Sequence, residues 1–182
     1  MRITYVFSAS VLPMSLFAAC STPEAAPAPT PQAPKVVAPA TPAPPPVPQP
    51  AGKWTDWPLA SGDWVYRTDQ RGSLALFGTP NGNAKLLIRC DQNQKRIFIS
   101  HSGSVADGAS MTLRASSGLQ TFPARSSGGA TPYAAVSMAP DEYMLDRIAF
   151  SRGRFAVQTT GLTSLAIPIW PEFTRVVEDC RA

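Results

Sequence analysis

Beyond Lys53 the chain runs in short stretches where apolar and polar residues alternate, the period of a strand with one wet face. Leu86, Ile88 and Cys90 fall on one face of such a stretch, and Lys85, Leu87 and Arg89 on the other. Ile97, Ile99 and His101 share a face in the next, and Asp91-Gln92-Asn93-Gln94 between the two reads as a hairpin loop. Met111, Leu113 and Ala115 alternate with Thr112 and Arg114, and Ser116-Ser117-Gly118 turns that run into Leu119–Phe122. Trp64–Thr68, Ser73–Phe77, Tyr133–Met138, Arg154–Thr159 and Leu165–Ile169 complete the expected strands, with Pro168 placing the last at a sheet edge.

Two segments change period. Pro140 at a first-turn position, followed by Asp141 and Glu142, predicts a helix start. Met144, Leu145, Ile148 and Ala149 form its apolar stripe, and Gly153 is placed to stop it. A second helix is predicted from Pro171-Glu172, with Phe173, Val176, Val177 and Cys180 at helical spacing and Arg175 and Asp179 four apart on the wet side. The expected fold is mainly β, α+β in class. It is an antiparallel sandwich or partly open barrel carrying two helices, one of them C-terminal.

Composition divides the 182 residues unevenly. Of the 20 prolines, 12 lie from Pro23 to Pro50, in a stretch of Pro, Ala, Thr and Val with almost no charge. Proline removes backbone donors and fixes φ, so neither helix nor sheet propagates there. Residues 20–52 therefore read as an extended tether, whose thirty or so residues reach at most ~100 Å at ~3.1 Å each. The remaining 53–182 are long enough to bury a core as one domain, expected to be monomeric. The net charge of +4 comes in that domain mostly from scattered arginines. No basic stripe with interleaved aromatics points to nucleic acid.

The first 19 residues have the form of an export signal: Arg2, then a mostly apolar run from Ile3 to Ala19, too short and broken to span a bilayer. It ends Leu16-Phe17-Ala18-Ala19-Cys20, which resembles the lipobox of bacterial lipoproteins, with Phe17 where Leu is usual. The resemblance implies cleavage before Cys20, a diacylglycerol on its thiol and a further acyl chain, such as palmitate, on its amine. Two or more chains anchor a protein stably where one is marginal. With Ser21 rather than Asp next, it implies the outer membrane rather than the inner, and a domain in the periplasm.

If Cys20 carries lipid, the three cysteines reduce to an even pair, Cys90 and Cys180, both on apolar faces. In an oxidising compartment they are expected to form a disulfide. Two reduced buried thiols are the alternative.

Candidate chemistry is sparse. His101 is the one histidine, and its place on an apolar strand face suits a packed residue better than a base. Ser102, Ser104 and Asp107 lie close to it, but one segment rarely supplies triad geometry. There is no Gly-x-Ser-x-Gly elbow, no P-loop and no metal-ligand spacing. No cofactor, metal or catalytic residue is therefore assigned. Arg147, Arg152 and Arg154 are candidates to meet a phosphate or carboxylate. Trp54 and Trp57 are candidates to stack on a glycan or peptide, or else to seat the first ordered segment on the domain. Trp170 is expected to staple the last helix to the core.

The run Trp170–Arg181, the run Ser151–Phe155 and Gly62-Asp63-Trp64 resemble a group of uncharacterised alphaproteobacterial exported proteins, a likeness that implies no activity. A small β-rich lipoprotein with one disulfide is also similar in outline to envelope lysozyme inhibitors. The expectation is a lipid-anchored, non-enzymatic binding or structural domain that meets an envelope protein or wall component. The alternatives are an inhibitor of a hydrolase such as a lysozyme and, behind that, an envelope enzyme.

Overall fold

The computed structural model describes residues 47–80 and 82–182. The signal, Cys20 and most of the tether lie outside the described residues.

Among the described residues, ten antiparallel strands form two sheets. In chain order they are β1 (Asp63–Asp69), β2 (Gly72–Gly78), β3 (Leu86–Asp91), β4 (Arg96–Ser102), β5 (Ser110–Ala115), β6 (Gly118–Pro123), β7 (Arg125–Ser126), β8 (Tyr133–Met138), β9 (Arg154–Thr159) and β10 (Leu165–Pro168). The large sheet runs β1-β2-β3-β4-β8-β7 and the small one β10-β9-β5-β6, and neither closes into a barrel. The sandwich form of the expected fold is the one the chain adopts. Pro168 does sit on an edge strand, where its missing N–H breaks no ladder. The strand the alternation did not reveal is β7, which at two residues is too short to show a period.

Helix α2 (Pro171–Arg181) follows its predicted stripe: Phe173, Val176, Val177 and Cys180 are buried. Helix α1 is shorter than expected, Tyr143–Ala149. Pro140 and Asp141 form a turn closed by Glu142 N–H donating to Ala139 O at 3.1 Å. A fixed φ near −65° suits the second position of such a turn as well as a helix's first. The Pro140 carbonyl also accepts from Arg181 Nε of α2 at 2.8 Å. Gly153 does not stop the helix, which ends before Phe150. Gly153 takes a positive φ in the turn that leads into β9.

The core fills the space between the layers. Phe77, Leu86, Ile88, Ile97 and Ile99 project from the large sheet, and Met111, Leu113, Phe155 and Val157 meet them from the small one. Phe173 of α2 packs its ring 5.7 Å from that of Phe155. The helix thus lies beside the small sheet and shares with it the work of covering one face of the large sheet. Among the described residues, no helix is long and apolar enough to cross a membrane.

Candidate binding face

Cys90 and Cys180 form a disulfide, with Cα atoms 5.4 Å apart. Cys90 points into the core from β3 and Cys180 ends the buried stripe of α2, so the bridge pins the C-terminal helix to a central strand. His101 points into the core as well. It is 3 % exposed, and its Nδ1 lies 3.0 Å from Thr159 Oγ1 on the opposite sheet. Burial pushes its pKa down to about 4, so it is neutral at neutral pH. A side chain closed between two sheets has no route to a substrate, and its hydrogen bond among the described residues is to Thr159 rather than to Ser102, Ser104 or Asp107.

The residues singled out for binding do not gather into one site. Trp57 is 6 % exposed and packs on Ala156 and Ala166, with Trp54 half-buried beside it. They lie on the outward side of the small sheet, where Arg154 donates to the Trp57 carbonyl at 2.8 Å. Here the tryptophans seat the entering chain, and they do not act alone. Gln49 Nε2 donates to Leu162 O at 2.9 Å, and Leu59 bridges to Ala166. Together these contacts lay residues 49–60 over the small sheet. Arg147 stacks on Tyr143 at 4.7 Å and crowds Gly118, where an added Cβ would collide with Nη1. Arg152 is exposed, with its backbone N–H bonded to Ser116 Oγ at 3.3 Å.

Trp170 does not staple the helix. It is 40 % exposed and lines a cleft of about 760 Å³ with Tyr66, Arg175, Glu178 and Asp179. Arg175 and Asp179 do not pair along the helix but engage Tyr66 from two sides. The guanidinium lies 4.0 Å over the ring, and the phenol donates to Asp179 Oδ2 at 2.7 Å. The hydrogen bond to Asp179 raises the Tyr66 pKa. Tyr66, Arg175 and Asp179 engage one another in this cleft, while Glu172 on its wall keeps Oε2 buried without a hydrogen-bond partner among the described residues.

The outward face of the large sheet is different. Register partners in an antiparallel sheet share a face, so the outward residues can be followed across the strands. One row is Val65, Leu76, Leu87, Ser100, Ala135 and Arg125, and the next is Arg67, Leu74, Arg89, Phe98 and Ser137. The floor of this face is apolar and recessed. Leu74, between the register neighbours Arg67 and Arg89, is 8 % exposed, and Leu76, Leu87 and Phe98 are half-buried. Arginine stems that lie along apolar surface account for such shielding. Arg89 grips Asp69 through two bonds of 2.8 and 2.9 Å and holds that carboxyl down at about 2. Arg71 bonds Asp91 Oδ2 at 2.6 and 3.0 Å, which lowers the Asp91 pKa. Arg96 reaches Ser137 Oγ at 2.9 Å. Arg67 and Arg125 form no ion pair among the described residues.

Two clefts open on this face. One of about 490 Å³ lies over Leu87, Phe98, Ser100 and Ala135, beside Arg71 and Arg125. The other, of about 200 Å³, lies over Val65 and Leu76, beside Arg67 and Asp63. The alternation reading counted Leu87 and Arg89 merely as the wet side of a strand. The signal that points to the face is the break in alternation: Leu74-Ala75-Leu76-Phe77, Leu86-Leu87-Ile88 and Ile97-Phe98-Ile99 are apolar on both faces, as in strands covered on both sides.

No protein-family model, curated protein or solved structure matches the chain.

Proposed function

We propose that this chain is a lipid-anchored protein of the bacterial envelope whose domain binds a partner there without catalysis. In this reading Cys20 carries the lipid in the outer membrane and residues 20–52, up to the point where Gln49 meets the small sheet, are a spacer. They hold the domain in the periplasm, an oxidising compartment that suits the Cys90–Cys180 disulfide. The observation that carries the binding reading is the outward face of the large sheet: apolar, lined with arginine, and covered by nothing among the described residues.

Two experiments test the reading. Cys20→Ser should abolish incorporation of labelled palmitate and leave uncleaved precursor; equal labelling of the variant removes the anchor. For the binding function, a photo-cross-linking residue at Leu87 in intact cells should give one discrete adduct, and the same residue at exposed Thr163 should give none. Turnover of an envelope substrate that is lost on changing a single polar side chain, with no adduct at Leu87, would replace the binding module with an enzyme.

A further inference from the structure

Three strands of the large sheet are apolar on both sides. The inward side meets the small sheet and α2, whereas the outward side meets no layer among the described residues. Sheets with two apolar faces are stable when both are covered, because each exposed apolar face forfeits the gain of leaving water. The chain does not leave this face as plain oil, however. Arg67, Arg71, Arg89, Arg96 and Arg125 surround the floor, against Asp63, Asp69 and Asp91. Asp69 and Asp91 are held by Arg89 and Arg71, and Arg96 is bonded to Ser137; Arg67 on β1 and Arg125 on β7 have neither an ion pair nor a side-chain hydrogen bond among the described residues, and they lie at opposite edges of the sheet.

We propose that this face docks an acidic segment of a partner protein that carries two apolar anchor side chains; the inference rests on the non-enzymatic binding reading above. One anchor enters the cleft over Leu87, Phe98 and Ala135, and the other the cleft over Val65 and Leu76. The clefts centre between β1 and β2 and on β4, two to three strand spacings apart, so the anchors lie ~12 Å apart, across the strands. Carboxylates flanking the anchors meet Arg125 and Arg67. Desolvation by the apolar floor strengthens such charge-assisted bonds, and arginine's planar fork suits carboxylates.

The other occupants fit less well. A second copy would bring the same excess of arginines face to face, and like charges repel. Residues 21–46 hold Glu24 as their one acidic residue, so the chain's own tether does not answer the arginines. A membrane surface takes protruding apolar side chains, but here only Val65 protrudes, at 46 % exposed, and the rest of the floor is recessed.

The test pans the detergent-solubilised full chain against a displayed library of random 16-residue peptides. Selected peptides should share two apolar residues flanked by Asp or Glu. Their affinity should fall at least tenfold for Arg67→Glu/Arg125→Glu and stay unchanged for Arg152→Glu, away from the face. Thermal melting of the charge-reversed variant checks that it folds; if it does not, Arg67→Gln/Arg125→Gln is used and a threefold loss is expected. Leu87→Asp should weaken the same peptides through the floor. The proposal is overturned if no peptide is enriched, if the selected peptides lack acidic residues, or if they bind the variants as tightly as the parent. Arginine-dependent sedimentation with phosphatidylglycerol vesicles and no enriched peptide would make the face a membrane contact instead. An unchanged Leu87 adduct in cells carrying the double arginine variant would leave the binding module standing and remove only the acidic segment.

Discussion

Removing the Cys90–Cys180 bridge is expected to cost ~4–5 kcal/mol, the chain-entropy value for closing a loop of this length; the two cysteines are 90 residues apart. Cys180→Ala should lower the urea midpoint accordingly. Cys90→Ala/Cys180→Ala should lie within ~1 kcal/mol of the single variant, because the second change breaks no further bond and removes only packing. The helix itself should stay docked in the folded state. Phe173, Val176 and Val177 are buried alongside Cys180 and give the helix its own apolar contact with the core, and the cross-link acts chiefly by restricting the unfolded chain. Urea titration of the parent, of both variants and of the reduced parent checks this. A loss below ~1 kcal/mol in all three would mean that the unfolded chain is already as compact as the bridge makes it. Free thiols at both positions in protein taken without reductant from its native compartment would refute the bridge.

The second large effect is pH dependence from His101. Folded, this histidine titrates at about 4, against an ordinary value of 6.5. Between those values the unfolded chain binds a proton that the folded chain refuses. The stability His101 contributes is therefore fully present above about pH 6.5 and is lost as pH falls toward 4, by up to ~3 kcal/mol. The physical cause is burial: the ring sits between the sheets with Thr159 as its hydrogen-bond partner and no carboxylate to balance a charge. No other histidine shares the window. Asp69 and Asp91, lowered by Arg89 and Arg71, contribute stability that is lost only below their ordinary 3.8. Urea unfolding at pH 7.0, 5.5 and 4.5 should show the parent weakening steadily while His101→Gln stays nearly level. Parallel slopes for the two proteins would mean that the buried ring is not what senses acid.

The effect connects the fold to the proposed face. His101 lies on β4, the strand that also carries Phe98 and Ser100 outward into the larger cleft. Acid that loosens the seam between the sheets therefore acts on the back of the binding floor. The ion pair of Arg89 and Asp69 on that floor survives to much lower pH, because the carboxyl titrates near 2.

How much of this was legible beforehand differs by element, and the reason is local. Tyr133–Met138 and Arg154–Thr159 are strands at the residues the alternation indicated, and α2 buries the four residues of its stripe. In each, one face is apolar and one polar, so burial itself writes the period into the sequence. Pro140 misled because one rigid φ serves two structures, and only the chain's path from β8 to α1 selects the turn. Arg175 and Asp179 have the spacing of a helix ion pair, yet Tyr66, from a strand more than a hundred residues away, takes both. Trp57 and Trp170 are alike in the sequence, and one ends buried and the other exposed, according to which sheet surface the neighbouring chain happens to cross.

The sequence by itself determined the strands other than β7, the C-terminal helix, the inward aim of Cys90 and Cys180, and the expectation that those two would pair. All of these depend on side-chain periodicity within a dozen residues, or on there being few cysteines to choose among. Tertiary structure alone decided the strand order, the layer in which the helices lie, and the binding face. That face is assembled from five strands and a two-residue edge, whose outward side chains become neighbours only through register. A local pattern can show that β2, β3 and β4 are apolar on both sides. It cannot show which side the rest of the chain will cover, since that depends on where the second sheet and the last helix pack. Here they cover the side with Cys90, and among the described residues nothing covers the side with the arginines.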